Sequence, residues 1–174
     1  MDRNCVIASI RPVWCGKIAE LLKTLEVRKS IPQLKTPFKV YIYCTRVSVL
    51  EFWKSADGCY VDTKSRSVKD ICGNGRVIGE FICDRLYRYT TRSDGVIDSE
   101  ISSEQLMQGS CLTWRELVEY EAGAGVRRGL DLNRRKGLWG WHISQLKIYD
   151  KPMFLEDFGL TKPPQSWCYV KEVA

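Results

Sequence analysis

The stretch from residue 38 to residue 45 constrains the fold of this chain more than any other, because its pattern fits only a β-strand. Every second residue is apolar, at Phe38, Val40, Ile42 and Cys44, and the opposite face carries Lys39, Tyr41, Tyr43 and Thr45. A repeat of two residues is that of a strand, whose side chains point alternately to opposite faces. Further strands are predicted over residues 5–10, 76–89, 138–149 and 166–173. The fold must therefore be built on a sheet.

Two main helices are predicted beside this sheet. The first begins at Arg11-Pro12, since proline at the first helical position gives up no needed N–H group. Its apolar stripe consists of Trp14, Ile18, Leu21, Leu22 and Leu25, which leaves Lys17, Glu20 and Lys23 near solvent. The second helix begins at a capping box, Thr113 with Glu116, and ends at the glycines of residues 123–125. A shorter helical segment opens at Ser102.

The other predicted features are short. They are a helical turn over 49–53, a strand over 58–61, a turn at 73–75, a polar connection over 90–100, a turn at 151–152 and a helical turn over 155–158. Gly79, inside a predicted strand, indicates a bend or a close backbone approach. Between Ile143 and Leu146 the apolar residues change from odd-numbered to even-numbered positions, which predicts a bulge near Ser144-Gln145.

The order of these elements favours an α+β fold. Strands outnumber helices, and no βαβ rhythm repeats along the chain, which argues against a doubly wound sheet. The predicted architecture is a mixed β-barrel of about six strands, with two main helices and short helical turns at its ends. At 174 residues, 44% of them hydrophobic, the chain fits one domain spanning residues 1–174.

Composition argues against several classes of protein. No apolar run approaches the roughly 20 residues of a bilayer span, and neither a signal peptide nor a membrane anchor is predicted. The eight cysteines are scattered, and there is one histidine and no Cys-x-x-Cys pair. This pattern favours a reducing, cytoplasmic compartment and predicts no metal and no cofactor. Cys44, Cys83 and Cys168 are expected to pack as small hydrophobic residues.

A formal net charge of +6 and a pI near 8.9 favour a polyanionic partner. Cations concentrate in a loop over residues 126–137, at Arg127, Arg128, Arg134, Arg135 and Lys136. This basic loop could follow the phosphates of a nucleic acid, because each neutralised phosphate releases counterions. It is equally consistent with a solvated loop that binds nothing, and both interpretations stay open.

The segment after the first helix is a candidate binding strand. From Leu25 the repeat changes to two residues, so Leu25 and Val27 lie on one face and Thr24, Glu26 and Arg28 on the other. The helix therefore delivers a lysine, and then a glutamate and an arginine, to one edge of the sheet.

Lys23, Glu26 and Arg28 could together bind an anionic ligand. In that arrangement Arg28 binds a phosphate through two hydrogen bonds, and Glu26 orients Arg28 or accepts a proton from a base. The alternative is an exposed ion pair between Glu26 and Arg28, worth roughly 0–1 kcal/mol. A catalytic role for Lys23 would need a lowered pKa, caused by burial or by the nearby charges of Arg28 and Lys29.

Aromatic side chains could form a stacking wall for a base, worth roughly 1–3 kcal/mol per stacked base. The candidates are Trp14, Trp139, Trp141, Trp167 and Tyr169. Trp14 belongs to the helix stripe and is expected in the core. Trp167 follows the rigid Pro163-Pro164 loop and is the preferred stacking residue. His142 is predicted to be a hydrogen-bonded wall residue rather than a member of a catalytic triad.

The stretch Lys23-Thr24-Leu25-Glu26-Val27-Arg28 resembles the lysine-threonine-x-glutamate-x-arginine signature of ASCH domains, which are relatives of the PUA and EVE folds. Residues 75–81 are similar to the central strand of that family, and residues 138–143 to its late strand. The resemblance implies a PUA-like fold and a cleft beside the signature strand that suits RNA or a nucleoside. Further ligand-binding candidates are Lys29, Ser30, Ser166 and Trp167.

One branch of this family contains amidohydrolases that remove an acyl group from acetylated cytidine. Its pattern places a threonine where this chain has Glu26, between the positions of Lys23 and Arg28. The hydroxyl of Thr24 is displaced by two residues, or roughly 6–7 Å along a strand, so the amidohydrolase activity is not assigned. The family's later glutamate would correspond to Glu116 or Glu119, between which spacing does not decide.

Three functions are therefore weighed. The preferred one is a non-catalytic or weakly catalytic binding module for RNA or a modified nucleotide, with a monomer favoured. The second is a hydrolase of RNA or acylated nucleosides, for which Lys23, Thr24 and Glu26 are the candidate residues. The third is a protein-interaction module, which an evenly spread basic surface without a cleft beside Glu26 and Arg28 would favour.

Overall fold

The structure is a computed structural model that describes residues 4–46, 52–54, 60–62, 73–91, 97–123 and 137–173. Its elements in chain order are β1 (Cys5–Ile10), α1 (Pro12–Ala19), β2 (Leu25–Arg28), β3 (Phe38–Cys44), β4 (Phe52–Lys54), β5 (Tyr60–Asp62), β6 (Arg76–Cys83), β7 (Leu86–Thr91), β8 (Ile97–Ser99), α2 (Ser103–Ser110), α3 (Trp114–Ala122), β9 (Leu138–His142), β10 (Ser144–Met153), a 3-10 turn (Leu155–Phe158) and β11 (Trp167–Val170).

The described strands form two main sheets. The first has the order β10-β6-β3-β1-β11 and the second β2-β9-β7-β8, while β4 and β5 pair separately. Strands β1 and β3 run parallel, and the other pairs are antiparallel. The predicted α+β class with mixed pairing is confirmed, and the strands are more numerous than the six or so that the sequence indicated.

The main hydrophobic core joins the two sheets and α1. Strands β1, β3 and β6 contribute apolar side chains, α1 contributes Cys15 and Ile18, and Trp141 of β9 enters from the other sheet. Trp141 is fully buried, and its ring meets Phe38 edge to face with the centroids 5.7 Å apart. The four-stranded sheet is thereby anchored to the five-stranded one.

Two smaller clusters cover the outer faces. The 3-10 turn places Leu155 and Phe158 against Tyr41 and Tyr43 of the five-stranded sheet. On the four-stranded sheet, residues of β2, β7 and β9 pack with Leu106 of α2 and with the buried Leu117 of α3. From one side to the other, the molecule therefore consists of the 3-10 turn, the five-stranded sheet, the shared core, the four-stranded sheet and the helices α2 and α3.

The first helix is shorter than predicted. It ends at Ala19, and Leu21 adopts a left-handed conformation with φ of 61°. Leu21 and Leu22 are exposed, so the prediction that they belong to the apolar stripe was wrong. The turn also carries Lys23 inward, where it is only 3% exposed rather than near solvent. Strand β2 pairs with β9 from Leu25 onward, and this pairing prevents the helix from continuing.

Two predicted strands are each divided between the sheets. The run over 76–89 breaks at residues 84–85 into β6 and β7, and the run over 138–149 breaks at Ile143 into β9 and β10. Both halves of each run are apolar because both sheets face the shared core, so periodicity alone does not reveal the crossing. The predicted bulge is confirmed by a register shift between Ser144 and Lys147 and by φ of 47° at Gln145.

Several short features are confirmed. Ser102 and Thr113 each form a complete capping box, Gly123 ends α3, and residues 155–158 form one helical turn. The turn predicted at 151–152 was wrong, because these residues lie inside β10. Residues 52–53 belong to β4 rather than to a helical turn, while residues 49–51 lie outside the described part.

The predicted packing role of two cysteines is confirmed, since Cys44 and Cys83 are fully buried, whereas Cys168 is half-buried. Within the described residues, no helix combines the length and apolar character needed to cross a bilayer.

Gly79 allows β6 and β10 to approach closely, as the sequence predicted. A Cβ atom at this position would lie 2.4 Å from the backbone oxygen of Lys147. We expect Gly79→Ala to lower the free energy of unfolding by about 1–3 kcal/mol, because the two strands must separate. Urea denaturation measures this change.

The control is Gly16→Ala in α1, where a Cβ would meet nothing within 4 Å. This substitution should stabilise the protein by up to about 1 kcal/mol, because alanine is the better helix former. Equal stability of the two variants would contradict the close approach.

Candidate functional site

A cavity of about 280 Å³ lies beside β2, where the end of β1 meets α1 and α3. Its polar and aromatic lining includes Arg11, Trp14, Lys23, Glu26, Arg28 and Tyr120. Alternation along β2 explains this placement. Leu25 and Val27 pack towards α2 and α3, so Glu26 and Arg28 face the opposite side.

Three charged side chains form a buried cluster in this cavity. The Glu26 carboxylate lies 2.9 Å from Nη2 of Arg28 and 3.5 Å from Nζ of Lys23. All three residues are less than 8% exposed. The alternative of an exposed surface ion pair was therefore wrong. With two cations and one anion, the lysine–glutamate–arginine cluster carries a net positive charge.

Arg28 holds Glu26 in place and is itself held by backbone. Its Nη2 donates to the Ser9 carbonyl at 2.8 Å, and its Nη1 donates to the carbonyl and the hydroxyl of Ser166 at 3.1 and 3.2 Å. The predicted pair of hydrogen bonds from Arg28 to a phosphate is therefore not available, because both terminal nitrogens already bind the protein. Its Nε is buried and has no partner among the described residues.

Lys23 is the second cationic side chain of the cluster. Its Nζ donates to the Ser110 carbonyl at 2.8 Å, faces Glu26, and lies 5.3 Å from the centre of the Trp14 ring. Burial lowers the pKa of Lys23, and the Glu26 charge opposes part of that shift. The ammonium group has three protons, so it retains a donor for a ligand in the cavity.

Trp14 and Tyr120 supply the aromatic walls. Trp14 is half-buried and packs against the main core, and Tyr120 is 39% exposed. Lys29 lies at the rim, with its Nζ 5.1 Å from the centre of the Tyr120 ring. Burial raises the pKa of the Tyr120 hydroxyl. Tyr120 and Arg11 were not predicted as site residues from the sequence, because neither lies within the signature strand.

Other predicted site residues lie outside this cavity. Thr24 is exposed and lines a separate cavity together with His142, so its hydroxyl is not brought to Lys23 and Glu26. Trp167 donates from Nε1 to the Ser30 hydroxyl at 3.1 Å, and its ring packs against Trp141. Trp167 therefore packs beside the cavity and does not line it.

The remaining aromatic candidates have structural contacts. Trp139, Trp141 and Tyr169 all pack with the main core. The Tyr169 hydroxyl also accepts a hydrogen bond from the backbone of Gln33 at 2.6 Å. His142 forms a 2.6 Å contact through Nδ1 with Asp84, in agreement with a hydrogen-bonded wall residue.

The two candidate glutamates lie in different environments. Glu116 lines the cavity, whereas Glu119 pairs with Arg115 on the surface. Glu116 is committed to its capping box, because its carboxylate accepts from the backbone and the hydroxyl of Thr113, and these bonds lower its pKa. The predicted basic loop lies outside the described residues, apart from Gly137 at its end.

The comparisons with known proteins support the fold. No family model and no curated protein matches the chain. The crystal structure of ASCH from Zymomonas mobilis matches with a TM-score of 0.58 and 16% identity, over 98% of this chain and 90% of that one.

Two variants of the same Zymomonas mobilis protein match as well. The serine-to-alanine variant has a TM-score of 0.59 and 16% identity, covering 98% of this chain and 91% of that one. The tyrosine-to-phenylalanine variant has a TM-score of 0.57 and 15% identity, covering 97% of this chain and 91% of that one. The chain therefore has the ASCH fold, and the predicted resemblance is confirmed at the level of the fold.

The buried cluster predicts a large effect of Glu26→Gln on stability. The substitution leaves the charges of Lys23 and Arg28 without a counter-charge, and breaking a buried ion pair costs about 3–5 kcal/mol. Chemical denaturation at neutral pH measures the loss. The matched control is Glu119→Gln, which breaks an exposed pair with Arg115 and should cost about 0–1 kcal/mol. Similar small losses in both variants would show that the cluster does not stabilise the fold.

Proposed function

We propose that this ASCH-fold chain is a binding module for RNA or a modified nucleotide, and that the cavity beside β2 receives one base. The observation that carries the proposal is a buried, net-positive cluster that opens onto a cavity with aromatic walls. A base has a flat apolar face and a polar edge, and this cavity offers groups suited to each.

The size of the cavity suits a small planar group. Its volume of about 280 Å³ is near the lower end of the roughly 300–1,000 Å³ typical of ligand pockets. One unstacked base therefore fits the proposal better than a stretch of duplex, since single-stranded RNA can turn individual bases outward.

The charged groups suit the edge of a base. Glu26 is an acceptor and Lys23 a donor, 3.5 Å apart. A base edge with a donor next to an acceptor would satisfy both of them. Arg11 is exposed at the rim, where it would meet a phosphate. The five cations of the basic loop remain predicted phosphate contacts.

Replacing the aromatic walls tests the proposal. We expect Trp14→Leu and Tyr120→Leu each to weaken binding of single-stranded RNA by about fivefold to 150-fold, because a stacked base contributes about 1–3 kcal/mol. Fluorescence anisotropy with a labelled oligonucleotide measures the affinity. Trp114→Leu is the matched control, because Trp114 is 39% exposed on α3 and does not line this cavity.

The salt dependence provides an independent readout. Binding that involves phosphates should weaken as salt rises, with a slope of about −0.7 per phosphate contact for a single strand. Affinity that is unaffected by salt and by both cavity substitutions would refute the proposal.

A hydrolase of RNA or acylated nucleosides is the second candidate, and the position of Lys23 is the observation that favours it. Lys23 is buried beside Glu26 and has a lowered pKa. A neutral amine can accept a proton from an attacking water, and a lysine with a lowered pKa is neutral over a wider pH range.

This candidate predicts that wild-type protein converts acetylated cytidine or single-stranded RNA, whereas Lys23→Ala does not. The rate should rise with pH as Lys23 loses its proton, reaching a plateau below the ordinary lysine pKa. Chromatography of the reaction products measures turnover. Both substrates left unchanged by the wild-type protein would remove the hydrolase, without affecting the binding proposal.

A further inference from the structure

We propose a second site, an anion subsite that binds a backbone phosphate of the same RNA strand whose base enters the first cavity. The inference rests on the proposed function and extends it from one nucleotide to an oligonucleotide. The subsite is a cavity of about 450 Å³ whose polar lining includes Tyr43, Arg46, Arg76, Glu156, Thr161 and Gln165.

The two cavities adjoin at Ser9, which lines both of them. Ser9 is held firmly in place. Its backbone N–H donates to the Ser166 carbonyl at 2.9 Å, its hydroxyl donates to the Pro164 carbonyl at 2.6 Å, and its own carbonyl accepts from Arg28. A strand with its base beside Glu26 can therefore continue across a rigid ridge into the second cavity.

Two arginines in this cavity have no carboxylate partner among the described residues. Arg46 is exposed, and Arg76 stacks its guanidinium 3.7 Å from the centre of the Phe154 ring. Stacking uses the face of a guanidinium and leaves the N–H groups at its edge free for oxygen atoms. One carboxylate, that of Glu156, also lines the cavity, so the balance of charge is positive.

Tyr43 adds a buried polar group aimed at the same space. The residue is only 3% exposed, and it lines this cavity. Burial raises its pKa, and the positive charges of Arg46 and Arg76 oppose that rise. Both arginines line the same cavity as Tyr43, whose hydroxyl can donate to an anionic oxygen.

The backbone at Gly75 explains how Arg46 is positioned. Gly75 has φ of 77°, and a Cβ atom there would lie 2.4 Å from Nε of Arg46. The arginine side chain thus lies directly against the glycine. The Gly75 N–H donates to the Cys44 carbonyl at 2.7 Å, which ties the turn to the end of β3. Converging guanidinium and hydroxyl donors suit a phosphate, whose oxygens accept several hydrogen bonds.

The test measures how the wild type and the double variant R46Q/R76Q bind ligands of different length. We expect the double variant to bind a single-stranded RNA hexamer roughly tenfold more weakly than the wild type. The slope of its affinity against salt should be smaller by about 0.7 for each lost phosphate contact. Binding of a free nucleoside should not change, since a nucleoside has no phosphate. The matched control is K35Q/K171Q, which removes two exposed cations that line neither cavity.

The outcomes separate the two proposals. A hexamer that binds the wild type and R46Q/R76Q equally well refutes the subsite and leaves the proposed function intact. A loss of equal size in K35Q/K171Q also refutes it, because general charge then explains the effect. Saturation by inorganic phosphate alone, without dependence on RNA length, would assign the cavity to free phosphate. If the wild type binds neither RNA nor nucleoside, the proposed function fails and the subsite with it.

Discussion

The contact of the Glu26 carboxylate with Lys23 and Arg28 is the interaction on which the candidate site depends. Each of these charges would cost several kcal/mol to bury alone. Together they compensate one another, and the backbone carbonyls of Ser9, Ser110 and Ser166 accept further hydrogen bonds from Lys23 and Arg28. The cluster lies away from bulk water, where its interaction with a ligand is less screened than on an open surface.

The two sheets make this burial possible. Trp141 anchors the four-stranded sheet in the shared core, and β2 is an edge strand of that sheet. One face of β2 packs under the helices, so its polar face must point into the space between β1, α1 and α3. The left-handed turn at Leu21 then carries Lys23 to the same space. Ordinary strand alternation and one tight turn bring the three charges together.

Sequence patterns predicted the local elements well and the long-range ones less well. Alternation identified β3, a short apolar run identified β1, and capping residues identified the beginnings of α2 and α3. The division of residues 76–89 and 138–149 between two sheets was not predicted, because alternation does not indicate which sheet a strand joins. At the site, the signature strand indicated Lys23, Glu26 and Arg28. Tyr120 comes from α3, some ninety positions further along the chain, and only the tertiary fold brings it to the cavity.

The contacts of Arg28 have a consequence for how the site assembles. Its guanidinium bridges β2 to the end of β1, 19 positions earlier, and to Ser166, 138 positions later. During synthesis from the amino terminus, the segment before β11 emerges long after β1 and β2. Until that segment docks, Arg28 lacks two of its acceptors and the wall around Ser9 is incomplete. A nascent chain can therefore form much of its core before it can hold a ligand, so maturation of the cavity is a late event in folding.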